Sequence, residues 1–185
     1  MDIAQRLRKE NISEYILYLW QIEDLLRALQ FSPEAVYSQL VAPRNADPQT
    51  SQVIFLWYMD IASLLRQEGK EQNGHLEHTL HLIGDLQNLH NQLMTLPAGK
   101  NYRPLVERLR PWLPVLEEKM GRGDVGEIEL CFRTLYAAML YKIKGQKEKQ
   151  QVIGEVIESV SPVIGELSRM YGAVERGEVD LFKEE

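Results

Sequence analysis

Residues 11–29 read NISEYILYLWQIEDLLRAL, and their apolar residues recur at the spacing that a helix brings to one face. Ile12, Tyr15, Ile16, Leu19, Ile22 and Leu26 form one broad stripe. Asn11 stands just before it, where a short side-chain oxygen can accept from the amides of the first turn. Glu14, three residues on, completes a capping-box pattern. The spacing predicts a long helix from Asn11 to about Leu29 with one face in a core.

The same reading extends in both directions. Ser32-Pro33 and Asp47-Pro48 each place a capping side chain before a proline suited to the first helical position. They predict a short helix to about Ala42 and a long one ending near Gly69. A further helix follows Asn73-Gly74 and runs to about Thr95, stopped by Pro97. Pro104, Pro111 and Pro114 divide the next stretch into two short pieces, and Gly121-Arg122-Gly123 is a break. Asp124 with Glu127 repeats the capping box and opens a helix to about Lys144; a last helix covers about Glu148 to Val174, with a bend expected at Pro162. No alternating stretch reads as a strand. The expected fold is all-α, an antiparallel helical bundle or array of about five long helices plus shorter pieces. Residues 1–175 are expected to form a single domain, and 176–185 a charged tail in which Val179, Leu181 and Phe182 could dock.

Composition narrows the function classes. The 185 residues are 44% hydrophobic and carry a formal net charge of -6, which opposes the broad positive surface that nucleic acid requires. Lys142, Lys144, Lys147 and Lys149 form a short basic run, but Glu148 interrupts it and a solvated helix end accounts for it. The first ten residues lack the apolar core of a signal peptide, and the longest apolar run, Val53 to Met59, is closed by Asp60. Cys131 is alone and suits a reducing compartment. These features predict a cytoplasmic chain with no nucleic-acid and no membrane partner.

The polar residues within apolar faces are the candidates for chemistry. Glu23 projects into the stripe of the first helix with Arg27 four residues later, and Glu129 and Arg133 repeat the arrangement after Asp124. Such carboxylates must be paired, hydrogen-bonded or protonated if buried. All four histidines are expected on one helix. His75 and His90 point toward Leu82, Leu86, Leu89 and Leu93 but lie roughly 22 Å apart along the axis, too far to share one ion. His78, His81 and Asp85 group on a flank where a surface metal site is conceivable; no common metal motif is present, and neither a metal nor another cofactor is expected. Trp20, Trp57 and Trp112 recur at helical spacing and read as core. In the last helix Gly154, Ser161, Gly165, Ser168 and Gly172 share a face that would admit the close approach of another helix, in this chain or in a partner.

Three stretches together resemble a known family: Tyr18-Leu19-Trp20-Gln21-Ile22-Glu23-Asp24-Leu25-Leu26-Arg27-Ala28, then Gly74-His75-Leu76, then Glu127-Ile128-Glu129-Leu130-Cys131-Phe132 with Leu135-Tyr136. The chain is similar in these to an uncharacterised bacterial family filed as domain of unknown function 4924. The resemblance implies a small cytoplasmic helical protein and supplies no substrate, cofactor or catalytic residue. From the residues themselves two readings follow. One is a non-enzymatic interaction or scaffolding module, with a homodimer as one version, whose polar core groups specify packing. The other is an enzyme or small-ligand binder using a Glu, His and Arg cavity between helices, with a metal as one version.

Overall fold

The computed structural model describes residues 2–120, 125–143 and 147–183, with backbone alone at 2 and 147–153. All its regular elements are helical, as the periodicity predicts. They are α1 (Asp2–Glu10), α2 (Ile12–Ala28), α3 (Pro33–Val36), α4 (Pro48–Gln67), α5 (Glu77–Thr95), α6 (Arg103–Leu109), α7 (Leu113–Met120), α8 (Glu127–Ile143) and α9 (Lys147–Glu175). The chain divides into two compact units, one of Met1–Glu10 with Glu14–Leu82, the other of Asn11–Ser13 with Ile83–Glu185.

In the first unit the stripe of α2 does what its spacing requires. Leu19, Ile22 and Leu26 are buried against Tyr58, Ile61, Ala62 and Leu65 of α4, with Phe31, Val36, Val41 and Leu76 completing the core. The turns that bring these helices together are set by local chemistry. Gln30 and Phe31 both take left-handed backbone, with φ of 51° and 55°, and the reversal drops the Phe31 ring into the core. Ser32 accepts from the Ala35 amide at 3.2 Å, and Asp47 accepts from the amides of Gln49 and Thr50 at 3.0 Å, so both cap-plus-proline starts form. The short helix opened by Ser32 passes through a wider turn at Tyr37–Val41 and a tighter one at Ala42–Arg44. Gly69, at φ 66°, ends α4: its amide bonds the Arg66 carbonyl and the Lys70 amide bonds that of Leu65, the pairing that a left-handed glycine permits.

α1 is an element the sequence reading did not anticipate. Its side chains are mostly charged, and Ala4 is its buried residue, so no apolar stripe announced it. Asn11 separates it from α2 and caps the latter, its Oδ1 accepting from the Ser13 amide at 3.1 Å.

In the second unit α8 and α6 pack against α9, and α7 packs against α8. Its core holds Leu86, Leu93, Tyr102, Leu109, Leu116, Ile128, Phe132, Val160, Val163 and Leu167. The prolines split 103–120 as expected, with a tighter turn at Arg110–Trp112 between α6 and α7. α9 continues as helix through Pro162. The expected break at Gly121-Arg122-Gly123, the cap at Asp124, and the basic run from Lys144 to Lys149 fall outside the described residues or their side chains. No described helix is long and apolar enough to cross a membrane.

Candidate functional site

Three successive turns of α2 reach one stretch of backbone between α4 and α5. Trp20, Glu23 and Arg27 are spaced by three and four residues, so they share a side of the helix. Trp20 is buried; its indole N–H donates to the Thr79 hydroxyl at 3.1 Å and its ring stacks on His75, with centroids 3.7 Å apart and planes 10° from parallel. Glu23 is fully buried. One carboxylate oxygen accepts from His75 Nδ1 at 2.7 Å and the other from the Leu76 amide at 3.2 Å. Arg27 donates to the Lys70 carbonyl at 2.9 Å and to the Gly74 carbonyl at 2.5 Å, and pairs with Asp24 at 2.8 Å.

The partner of Glu23 is therefore chiefly His75, whereas the spacing of the first helix pointed to Arg27. The Arg27 guanidinium stands 4.0 Å from the carboxylate, because its donors are drawn to the two backbone carbonyls. A second difference follows from the same bonds. His75 does not lie in a helical turn: α5 begins at Glu77, and the Leu76 carbonyl accepts the first amide of that helix, from Thr79 at 2.9 Å. Glu23 holds His75 and Leu76 just ahead of the helix. Trp20, which the sequence reading placed in the core, and Thr79, which it did not single out, are members of this cluster. Their signal was the spacing of Trp20 from Glu23 on one face.

A carboxylate that fixes an imidazole through Nδ1 is an arrangement used both to orient a basic histidine and to tie two elements together. The His75 side chain is 24% exposed, so part of the ring reaches the surface. Close by in sequence, His78 is exposed and its Nε2 shares a 3.2 Å hydrogen bond with the Tyr15 hydroxyl; partial burial first, then Arg8 and His81, hold that ring below the usual histidine range. His81 is also exposed. Among the described residues no three His, Cys, Asp or Glu side chains are placed to hold one metal ion.

The remaining candidates lie in the second unit. His90 is buried, and its Nδ1 shares a 2.7 Å hydrogen bond with the Tyr102 hydroxyl, while Nε2 faces Glu127 at 3.7 Å. Burial lowers the basicity of the His90 ring, with Glu127 opposing, and pushes the Tyr102 hydroxyl and the Cys131 thiol up, the thiol to about 12. Cys131 is a buried thiol. Glu129 and Arg133 form their expected pair, and Arg133 also donates to the Met120 carbonyl at 3.2 Å. They lie at the edge of the buried face: the side chains are 21% and 37% exposed. The reason is that α8 buries Leu130, Cys131 and Thr134 besides Ile128, Phe132 and Tyr136, which turns the centre of its face away from Glu129.

The small-residue face of α9 is not a close contact within the described chain. A Cβ placed on Gly154 or Gly165 would meet nothing within 4 Å, and Ser161 is exposed. Gly172 lies under the Arg176 side chain, and Ser168 is buried, donating to Asn11 Oδ1 at 2.8 Å. The tail contributes Leu181 to a small hollow with Asp85 and Tyr171. A larger polar cleft of about 490 Å³ lies between Ala98, Asn101, Arg169, residues 177–180 and Lys183; Phe182 of the tail is exposed. The cations of that cleft stand beside anions, Arg169 with Glu166 at 2.7 Å and Lys183 with Asp180 at 3.7 Å.

Compared with known proteins, residues 1–178 match a family profile described as Domain of unknown function (DUF4924). No curated protein and no solved structure matches the chain.

Proposed function

We propose, for a chain that belongs to the DUF4924 family, that it is a non-enzymatic helical interaction or scaffolding module in which the polar core residues serve packing. The observation that supports this reading is Glu23. A fully buried carboxylate has both oxygens engaged inside the fold, by His75 and by the Leu76 amide. Burying a charge costs several kcal/mol unless it is paired and hydrogen-bonded, and here the bonds join α2 to the segment that starts α5. The other strong donors of the cluster, Trp20 and Arg27, are spent on the same segment. Every one of these bonds fixes the position of a backbone or ring.

A second reading, ligand binding or catalysis at His75, draws on the part of its ring that is exposed and on its orientation by Glu23. The two readings separate on stability against binding. A His75→Ala and a Glu23→Gln variant are compared with the natural chain by urea unfolding. A panel of divalent metals and small metabolites is then screened for a rise in melting temperature. The packing reading expects both variants to be destabilised and no compound to act through His75. A compound that raises the melting temperature of the natural chain, and not of a His75→Ala variant of unchanged stability, overturns it.

A further inference from the structure

Asn73-Gly74 is the one Asn-Gly pair in the chain. Both residues are exposed, and they stand in the stretch between α4 and α5 that belongs to no helix. Among the described residues neither the Asn73 side chain nor the Gly74 amide takes part in a hydrogen bond. The backbone there asks for glycine, since φ at Gly74 is 83° and a Cβ would press on the Lys70 side chain at 3.3 Å. The same lack of a side chain opens the Gly74 nitrogen to the residue before it. Asparagine is a thermolabile residue because its carboxamide carbon lies within reach of the next backbone nitrogen. An amide tied into a helix ladder, or shielded by its own side chain, is held back from that attack.

We infer that Asn73 is a site of spontaneous covalent modification, ageing to aspartate and isoaspartate, and that the isoaspartate form loosens the hold of α2 on the residues ahead of α5. The Gly74 nitrogen bonds to Asn73 Cγ and gives up its proton; the Cγ–Nδ2 bond breaks, and Nδ2 leaves with that proton as ammonia. Water is the other reactant and opens the cyclic imide at one of its two carbonyls. Attack at Cγ gives aspartate, with the backbone restored. Attack at the main-chain carbonyl gives isoaspartate, whose chain runs on through Cγ and is longer by a carbon. No group is oxidised or reduced.

The two products differ in what they do to the fold. Aspartate keeps the backbone, and its charge arises near the Lys70 side chain, which runs beside Gly74. Isoaspartate inserts its extra carbon between Lys70 and Gly74, whose carbonyls the Arg27 guanidinium holds together, and directly ahead of His75 and Leu76, which Glu23 holds. The insertion puts these contacts out of register. This second part rests on the packing reading above.

Incubation of the full chain in mildly alkaline buffer tests both parts, with peptide mass spectrometry to locate the product and electron-transfer fragmentation to tell aspartate from isoaspartate. Asn73 is expected to deamidate about tenfold or more faster than Asn45 and Asn101, which are also exposed but precede Ala46 and Tyr102. The aged chain is expected to melt about 2–4 °C below the fresh one, a loss regained on treatment with a protein isoaspartate methyltransferase and S-adenosylmethionine, which return isoaspartate to aspartate. Asn73→Gln, whose longer side chain must close a larger ring, is expected to keep its melting temperature through the same incubation. Fresh Asn73→Asp is expected to melt within about 1 °C of the natural chain. Deamidation of Asn73 no faster than that of Asn45 and Asn101 overturns the inference. An aged chain that melts with the fresh one, or a loss that Asn73→Gln shares, overturns the loosening. Neither failure bears on the stability of the Glu23 and His75 variants, which tests the packing reading separately.

Discussion

His75 Nδ1 lies 2.7 Å from the Glu23 carboxylate, although 52 residues separate the two in sequence. The contact places a buried anion of α2 against the residue that precedes α5, and the Trp20 ring closes over the imidazole from the other side. Around that pair, side chains of α2 hold the Lys70 and Gly74 carbonyls, the Leu76 amide and the side chains of His75, His78 and Thr79. Residues 70–76 lie outside any helix or strand, and these bonds from α2 help to set their shape.

Arg27 is the residue of this cluster with the least tolerance for a like-charged replacement. Its guanidinium serves the Lys70 and Gly74 carbonyls together, and a lysine ammonium cannot fork between them. Arg27→Lys is expected to cost about 1–3 kcal/mol in urea unfolding, with Arg27→Ala at the upper end. A loss below about 0.5 kcal/mol for both would show that the segment keeps its shape without the guanidinium.

His90 gives the fold a pH dependence of definite sign. Burial holds its ring below the unfolded value of about 6.5, so the unfolded chain takes up that proton first as pH falls. The contribution of His90 is fully present above about pH 7 and declines as pH drops below about 6.5. Unfolding free energies measured across that range should fall toward acid, and the slope should lessen in His90→Gln. An NMR titration placing His90 above 6.5 would contradict the assignment.

Cys131 should be silent in the native state. It is buried, and its thiol is pushed up to about 12, which leaves almost no thiolate at neutral pH. A disulfide reagent such as DTNB is expected to react with it at the rate of global opening and at once in urea. Rapid stoichiometric reaction in buffer would mean that α8 opens around it.

Two glycines should respond to alanine with opposite signs. A Cβ on Gly99 would run into the Leu93 carbonyl, so the turn that follows α5 admits no side chain there. Gly99→Ala is expected to cost about 1–3 kcal/mol or more, since the clash is with backbone. Gly165 is exposed on α9 with open space around it, and Gly165→Ala is expected to add about 0.5–1 kcal/mol through helix propensity. Thermal melts of the two variants check both signs.

Much of this architecture was legible in the residues because caps and prolines act locally. Asn11, Ser32-Pro33 and Asp47-Pro48 start helices where their chemistry says they should, and Pro97 follows the end of α5 closely. The candidate site was legible only in part. Periodicity placed Glu23 on a buried face, which the fold bears out, but a partner 52 residues away leaves no periodic signal, and Arg27 at the next turn was the nearest local choice. Glu129 is mostly buried and paired with Arg133 as expected, but it sits at the edge of its face rather than within it. Cys131 and Thr134 are buried with the apolar residues of α8, and a face drawn from the large apolar side chains was centred too near the glutamate. α1 carried no stripe to read.

The claim that the polar core is a packing device stands most directly on the energy shared by Glu23 and His75. A double-mutant cycle measures it: Glu23→Ala, His75→Ala and the double variant, each by urea unfolding with the natural chain as reference. Glu23→Ala is expected to cost about 3–5 kcal/mol, since the groups that faced the carboxylate lose their partner. The coupling between the two sites is expected at about 1–3 kcal/mol, the range for residues in one buried bonded network. Single losses that add to the double within about 0.5 kcal/mol would contradict the account, because a bond that carries no shared energy cannot be what holds α2 to the start of α5.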